Sequence, residues 1–290
     1  MTKIRKAVLP VAGLGTRVLP ATKSIPKEML PVFDRPAIQY VVDEALEAGI
    51  EHIVFVTGRN KGTIEDYFDS AYELEATLEA KNKADILEEV RATCPKAGSM
   101  SFVRQQAPLG LGHAIWCARD IIGEDPFAIL LPDVLIQGKP GCLAQMVEVY
   151  EQTNSNVIAV DPVPADEVNK YGVIDPIERQ GAMIRMRGMV EKPPVADAPS
   201  NLAITGRYIL KGEIFRFLED QAAGAGGEIQ LTDAMARLMA QQDFYAVEFE
   251  GTPYDCGNKL GYLKATLGMA LSHPTLAAEA RATIKAELGN

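Results

Sequence analysis

The chain has 290 residues, 47% hydrophobic and 23% charged, the balance of a soluble globular protein long enough to bury a large core. Its net charge of −10 opposes non-specific nucleic-acid binding, which needs a basic field, although a few local cations can still meet a small anion. Four scattered cysteines with no CxxC pair and three separated histidines (His52, His113, His273) support neither a disulfide framework nor a zinc site, and no apolar run approaches the roughly 18 residues of a membrane span.

The N-terminal run of Lys3, Arg5 and Lys6 followed by AVLPVAGLG has the look of a signal peptide. Pro10, Gly13 and Arg17 break it and no small-residue cleavage site follows, so a cytoplasmic protein is expected. Residues 6–11 (KAVLPV) read as a buried strand, 36–48 as a helix started by proline and stopped by Gly49, and 53–58 (IVFVTG) as a second strand. Residues 64–92 carry many carboxylates around Phe68, Leu74, Leu78, Leu87 and Val90. That pattern fits a helical hairpin on a sheet edge, its acidic face either solvated or used in self-association. A helix over about 112–122 and a strand at 127–133 (FAILLPD) follow. Strands and helices alternating in this way predict an α/β fold with a mostly parallel sheet flanked by helices. Beyond 155 the strands shorten (157–160, 171–174, 184–192, 206–210), which predicts an antiparallel or mixed extension of the sheet. Helices are expected at 211–220, at 230–241, from 258 onward and over 275–288, with no internal repeat or linker.

The stretch VAGLGTRVLPATKSIPKEMLP (11–31) carries the chemistry. It is not a dinucleotide fingerprint, because Val18 stands where a third glycine belongs and Pro20 interrupts the helix; no Walker A string exists either. What remains is a strand ending in a glycine turn with exposed backbone N–H groups, followed by the forked cation of Arg17 and a proline-framed Lys27. Glycines alone would suit any turn; the two cations point to phosphate.

This block resembles the N-terminal region of bacterial UTP–glucose-1-phosphate uridylyltransferases, and the similarity continues in order. It runs through RQQAPLGLGHA (104–114), LPDV (131–134), YGVI (171–174), VEKP (190–193), GEIQLTDA (227–234) and YDCGNKLGYL (254–263). Roughly residues 3–268 are covered. The resemblance implies a nucleotidyltransferase-type Rossmann-like sheet in one domain over 1–290. Within it, 3–155 would mainly bind nucleotide, 156–257 mainly the sugar phosphate, and 258–290 would form C-terminal helices. It further implies that a phosphate oxygen of glucose 1-phosphate attacks the α-phosphorus of UTP, expelling diphosphate and giving UDP-glucose. The nucleophile is already an anion, so no general base is needed, and catalysis rests on alignment and charge neutralisation.

Carried over residue by residue, the GxGTR turn (Gly13, Gly15, Thr16, Arg17) and Lys27 meet the triphosphate. Ala12 and Gly13 offer backbone to the base, and Gln105 with the Gly110 turn reads it, since an amide supplies both donor and acceptor. Asp133, at the carboxyl end of a strand where α/β sheets place ligands, and Asp255 of YDCG suit Mg²⁺. On position alone Asp133 is equally a turn residue and Asp255 a helix cap. Gly172 allows close approach of the sugar, Glu191 accepts from its hydroxyls and Lys192 reaches its phosphate, although an isolated Glu–Lys pair is often only solvated. Glu228 and Asp233 belong to the sugar wall or its support. The family implies a homodimer or homotetramer, and no nucleic-acid or membrane partner is expected. Two rivals stay open: a thymidylyltransferase using dTTP, and a non-catalytic nucleotide-sugar sensor.

Overall fold

The computed structural model describes residues 2–220, 224 and 227–289. The sheet grows from β1 (Lys6–Pro10), whose Ala7, Val8 and Leu9 are fully buried. In chain order follow a small hairpin of β2 (Pro31–Val32) and β3 (Arg35–Pro36), then β4 (His52–Thr57), β5 (Met100–Arg104), β6 (Phe127–Leu130) and β7 (Val134–Gln137). The second half supplies β8 (Asn156–Pro162), β9 (Gly172–Gln180), β10 (Met183–Glu191), β11 (Leu202–Leu210), β12 (Phe244–Glu248) and β13 (Thr252–Asp255). The main sheet has the order β5-β4-β1-β6-β11-β8-β12-β10-β9, and β9 also meets β11 at Val173 and Ala203. Pairing is parallel from β5 through β6, the half expected to bind nucleotide. Antiparallel β11 opens the expected extension, where among the described residues only β8 and β12 run parallel.

Because side chains alternate across a strand, β1 sends Ala7 and Leu9 into one core and Val8 into another. The first core collects the helix Ala37–Glu47 through Ile38, Val41 and Ala45, and the helix Cys142–Thr153 through Leu143 and Met146. Pro36 precedes the first of these and Gly49, at φ 86°, lies just past its end, as its flanks predict. The second core collects Ile115, Ile122, Leu218, Leu231 and Met235.

Several elements differ from expectation. The helix expected over 112–122 is broken into Leu111–Trp116 and Arg119–Ile122. The strand of FAILLPD stops at Leu130, before Pro132, which has no N–H to give a ladder; the chain turns at Asp133 and leaves as β7. The acidic segment does form two helices, Tyr72–Ala80 and Ala84–Ala92, with Asn82 at φ 53° in the turn. They bury Leu78 and Leu87 but leave Leu74 48% exposed, a narrower apolar seam than the pattern indicated. Strand β11 starts at Leu202, well before the expected 206; Gly206 (φ 61°) lies inside it, at a bulge that shifts register between Ile204 and Tyr208. No helix among the described residues is long and apolar enough to cross a membrane.

Candidate functional site

After β1 the chain enters short 3₁₀ turns rather than a helix, as its prolines require. Gly15 is left-handed (φ 67°), its carbonyl accepts from Thr22 Oγ1 at 2.7 Å, and a Cβ there would stand 3.1–3.3 Å from Thr22 and Lys27. Thr16 opens the next turn, Thr16–Val18, which carries Arg17 outward. Gly13 lies along the Lys27 stem, and Ala12 packs on Gly58 at the end of β4. Gln105, just past β5, donates its backbone N–H to Thr57 O at 2.9 Å, so the ends of these strands form one rim. Its amide Nε2 donates to Gly110 O at 3.1 Å and lies 3.0 Å from His113 Nδ1. Burial holds His113 below its ordinary value, which favours a neutral ring able to accept that bond. Gly110 (φ 108°) has no room for a side chain: a Cβ would stand 2.8 Å from Glu228 Cβ and Ile229 O.

Asp133 stands at the turn between β6 and β7, 17% exposed. Lys27 Nζ donates to its Oδ2 at 2.6 Å and Arg17 Nη2 lies 3.6 Å from the same oxygen. Burial pushes the Asp133 carboxyl up, but the Lys27 ammonium and the Arg17 guanidinium outweigh it and hold the group below the usual carboxylate range. Arg17 also approaches Asp255 Oδ2 at 3.8 Å, so one guanidinium spans both carboxylates. Asp255 comes alongside because β13 pairs with β7, setting Asp255 opposite Val134, and because Cys256 N donates to Asp133 O at 2.7 Å.

Gly257 keeps this space open. A Cβ on it would stand 2.4 Å from Arg17 Nη2, 2.8 Å from Asp255 Oδ1 and 3.0 Å from Asp133 Oδ2. Among the described residues no set of three or more His, Cys, Asp or Glu converges as a ready metal cage. Two hard carboxylates flanking a cradle that a methyl group would fill nevertheless suit a divalent cation completed by phosphate and water oxygens.

A cavity of about 530 Å³ opens beside this assembly, lined by Arg17, Asp133 and Asp255 at one end and by Gly172, Glu191 and Lys192 further in. Gly172 lets the strands close up, since a Cβ would stand 3.0 Å from Glu191 Oε2. That oxygen accepts from Thr232 Oγ1 at 2.8 Å, while Lys192 Nζ lies 3.5 Å from Oε1. Lys192 itself is left-handed (φ 48°), its N–H held by Tyr171 O. Asp233 follows Thr232 on the helix Leu231–Leu238 without lining the cavity. Glu228 is likewise not on this wall; it packs against the Gly110 turn, where Ile229 N donates to Leu109 O.

The sequence reading did not single out Gly257, Asn258, Thr232 or two buried ion pairs. Asn258 Nδ2 donates to Asp255 Oδ2 at 2.9 Å and its Oδ1 caps the helix Lys259–Ser272, so the expected cap is Asn258 and Asp255 is held by it. Lys61 Nζ donates to buried Glu28 Oε2 at 2.7 Å, directly beside Lys27. Arg207, fully buried, pairs with Glu44 at 2.8 Å. The PKE triplet was the available signal for Glu28; the partners of Arg207 and Lys61 are too distant in sequence to be read.

The nucleotidyl transferase family model matches residues 6–270. The UTP–glucose-1-phosphate uridylyltransferase of Bacillus subtilis is 51% identical over 276 residues, 95% of this chain and 94% of that one. Among solved structures, the UTP-bound UGPase from Acinetobacter baumannii has a TM-score of 0.90 at 50% identity, covering 97% of this chain and 98% of that one. A UDP-glucose pyrophosphorylase complexed with UDP-glucose has a TM-score of 0.83 at 43% identity, covering 91% and 98%. With the model spanning nearly all of it, this chain belongs to the nucleotidyl transferase family.

Proposed function

We propose that this protein catalyses UTP + α-D-glucose 1-phosphate → UDP-glucose + diphosphate, supplying UDP-glucose to glycan synthesis. One observation carries the reading: Lys27 and Arg17 from the nucleotide loop converge on Asp133 at the mouth of the cavity that holds Glu191 and Lys192. The full-length similarity to uridylyltransferases fixes the reaction class.

A phosphate oxygen of glucose 1-phosphate forms the new bond to the α-phosphorus of UTP. The α–β phosphoanhydride breaks, and its electron pair leaves with diphosphate. Both reactants are anions, so the residues that neutralise and align them govern the rate. Lys27 and Arg17 face the triphosphate, with the backbone of Gly13, Gly15 and Thr16 around it. Lys192 meets the sugar phosphate. Glu191, steadied by Thr232, accepts from glucose hydroxyls above Gly172. The Gln105 amide nitrogen has its hydrogens directed at Gly110 O and His113 Nδ1, which leaves its oxygen to accept from N3–H of the base. Asp133 and Asp255 would hold Mg²⁺, which when bound supplies further charge neutralisation on the phosphates.

On the same reading the protein is cytoplasmic, with 3–155 serving the nucleotide and 156–257 the sugar phosphate. It self-associates as a dimer or tetramer, a step suited to Leu260, Leu263 and Leu267, which lie exposed along one face of the helix Lys259–Ser272. Light scattering on the eluting protein checks that last point, and a monomer at micromolar concentration would contradict it.

The test of function is diphosphate release by purified protein with Mg²⁺ and glucose 1-phosphate, comparing UTP with dTTP, with Asp133→Asn as control. The reading expects strong release with UTP, weak release with dTTP, and loss in the variant. Equal release with dTTP would overturn the base preference; none with either nucleotide would restore the sensor.

A further inference from the structure

Asp133 sits in a three-residue connection between strands, a poor place to fix a carboxylate unless something holds the backbone on both sides. Arg207 does so. Its Nη1 donates to Leu131 O at 3.1 Å and its Nη2 to Val134 O at 2.7 Å, two residues before Asp133 and one after it. Nη1 also donates to Gly206 O at 3.2 Å, and Nε and Nη2 grip Glu44 at 3.0 and 2.8 Å. All five guanidinium hydrogens are therefore used, and the side chain has no exposure. Glu44 is fixed in turn, since its Oε1 accepts from Leu143 N at 3.1 Å. The bulge at Gly206 belongs to the same device: it interrupts the β11 ladder next to Arg207, and its carbonyl accepts from Leu131 N at 2.9 Å.

A buried ion pair is a weak source of stability, because desolvation offsets most of the attraction, and a well-packed apolar pair often does as well. The specific feature here is the fork, which binds two carbonyls and a carboxylate together in fixed geometry; a lysine cannot do this.

We infer that Arg207, oriented by Glu44, is a positioning residue for the reaction: it sets the Leu131–Val134 turn and thereby places the Asp133 carboxylate against Lys27 and Arg17. The inference rests on the proposed uridylyl transfer. Arg207 touches no substrate. Its loss acts on turnover through a loosened turn and leaves the nucleotide loop and its affinity in place.

Two variants test this: Arg207→Lys, which keeps the charge but not the fork, and Glu44→Leu with Arg207→Met, which removes both charges at similar volume. Each is measured for melting temperature, UTP affinity by calorimetry, steady-state kcat and KM, and amide exchange in the Leu131–Val134 segment. The expected result is folded protein, UTP affinity within about threefold of wild type, kcat lower by about 10- to 100-fold, and faster exchange in that segment. Rescue of kcat by Arg207→Lys would overturn the inference, as would a folded double variant with wild-type kcat and exchange. A double variant that fails to fold also counts against it, since the pair would then serve the core. If the wild-type protein itself releases no diphosphate from UTP and glucose 1-phosphate, the functional reading fails; the exchange data then still report whether Arg207 holds the turn.

Discussion

Gly257→Ala disturbs the cation–carboxylate assembly without removing a charge. The residue is not among the positive-φ glycines, so alanine carries no backbone penalty. Its methyl would stand 2.8 Å from Asp255 Oδ1 and 3.0 Å from Asp133 Oδ2, where ordinary contact begins at 3.4 Å, so the two oxygens must retreat by about 0.6 and 0.4 Å. Arg17, 2.4 Å from the methyl, is 63% exposed and can swing away. The carboxylates cannot move so freely. Lys27 holds Asp133 at 2.6 Å, and Asp255 is bonded to Gly257 N and Asn258 Nδ2. A misplacement of about 1 Å in a reacting constellation costs about a hundredfold, so half of that is expected to lower kcat about tenfold, or about 1.4 kcal/mol in the barrier. Stability should change by less than about 1 kcal/mol, since the space is partly solvated. Diphosphate release and a thermal melt on the same preparation measure both. A Gly257→Ala protein with wild-type kcat would refute the idea that this gap is where the phosphates are neutralised.

Other expectations follow from the same geometry. Asp133 has a folded value below that of the free side chain, about 3.9, so its contribution to stability is complete above that pH and lost as pH falls through the folded value. Lys27→Met removes the nearer of its two cations, so the acid limb of the pH–rate profile should move up and kcat fall a few hundredfold, about 3–4 kcal/mol; an unmoved limb would contradict the pairing. Glu191→Gln replaces a charged acceptor, worth about 1.5–3 kcal/mol per bond, with a neutral one worth about 0.5–1.5 kcal/mol, so KM for glucose 1-phosphate should rise about 5- to 13-fold with KM for UTP unchanged. A rise in the UTP constant instead would place Glu191 on the nucleotide. Gly110→Ala forces a left-handed alanine into Glu228 and Ile229, which should cost about 1–3 kcal/mol in a melt and weaken UTP binding; an unchanged melting temperature would show that the turn is not tight.

Much of the parallel half was legible because its signals are local. KAVLPV is a short apolar run closed by glycine, and the helix Ala37–Glu47 is framed by Pro36 and Gly49. The antiparallel half was harder. Gly206 hid the first part of β11 behind a bulge, and FYAVE, inserted as β12 between β8 and β10, is too short to announce itself. The cation–carboxylate assembly was legible from residue type and motif, since Arg17, Lys27 and Asp133, singled out in the sequence, do come together. Their supports were not. Glu44 and Arg207 are 163 residues apart and Lys61 and Glu28 are 33 apart, and neither pair has a local periodicity to betray it. Gly257 reads as an ordinary turn glycine until β13 brings Asp255 beside Asp133.

The most direct test of the central claim follows the oxygen. Glucose 1-phosphate carrying heavy oxygen in its phosphoryl group is incubated with UTP, Mg²⁺ and the purified protein, and the products are separated and weighed by mass spectrometry. Attack by the sugar phosphate on the α-phosphorus predicts that all of the label is retained in UDP-glucose and none enters diphosphate. Label in diphosphate or in free phosphate would contradict the account, because another bond would then have broken.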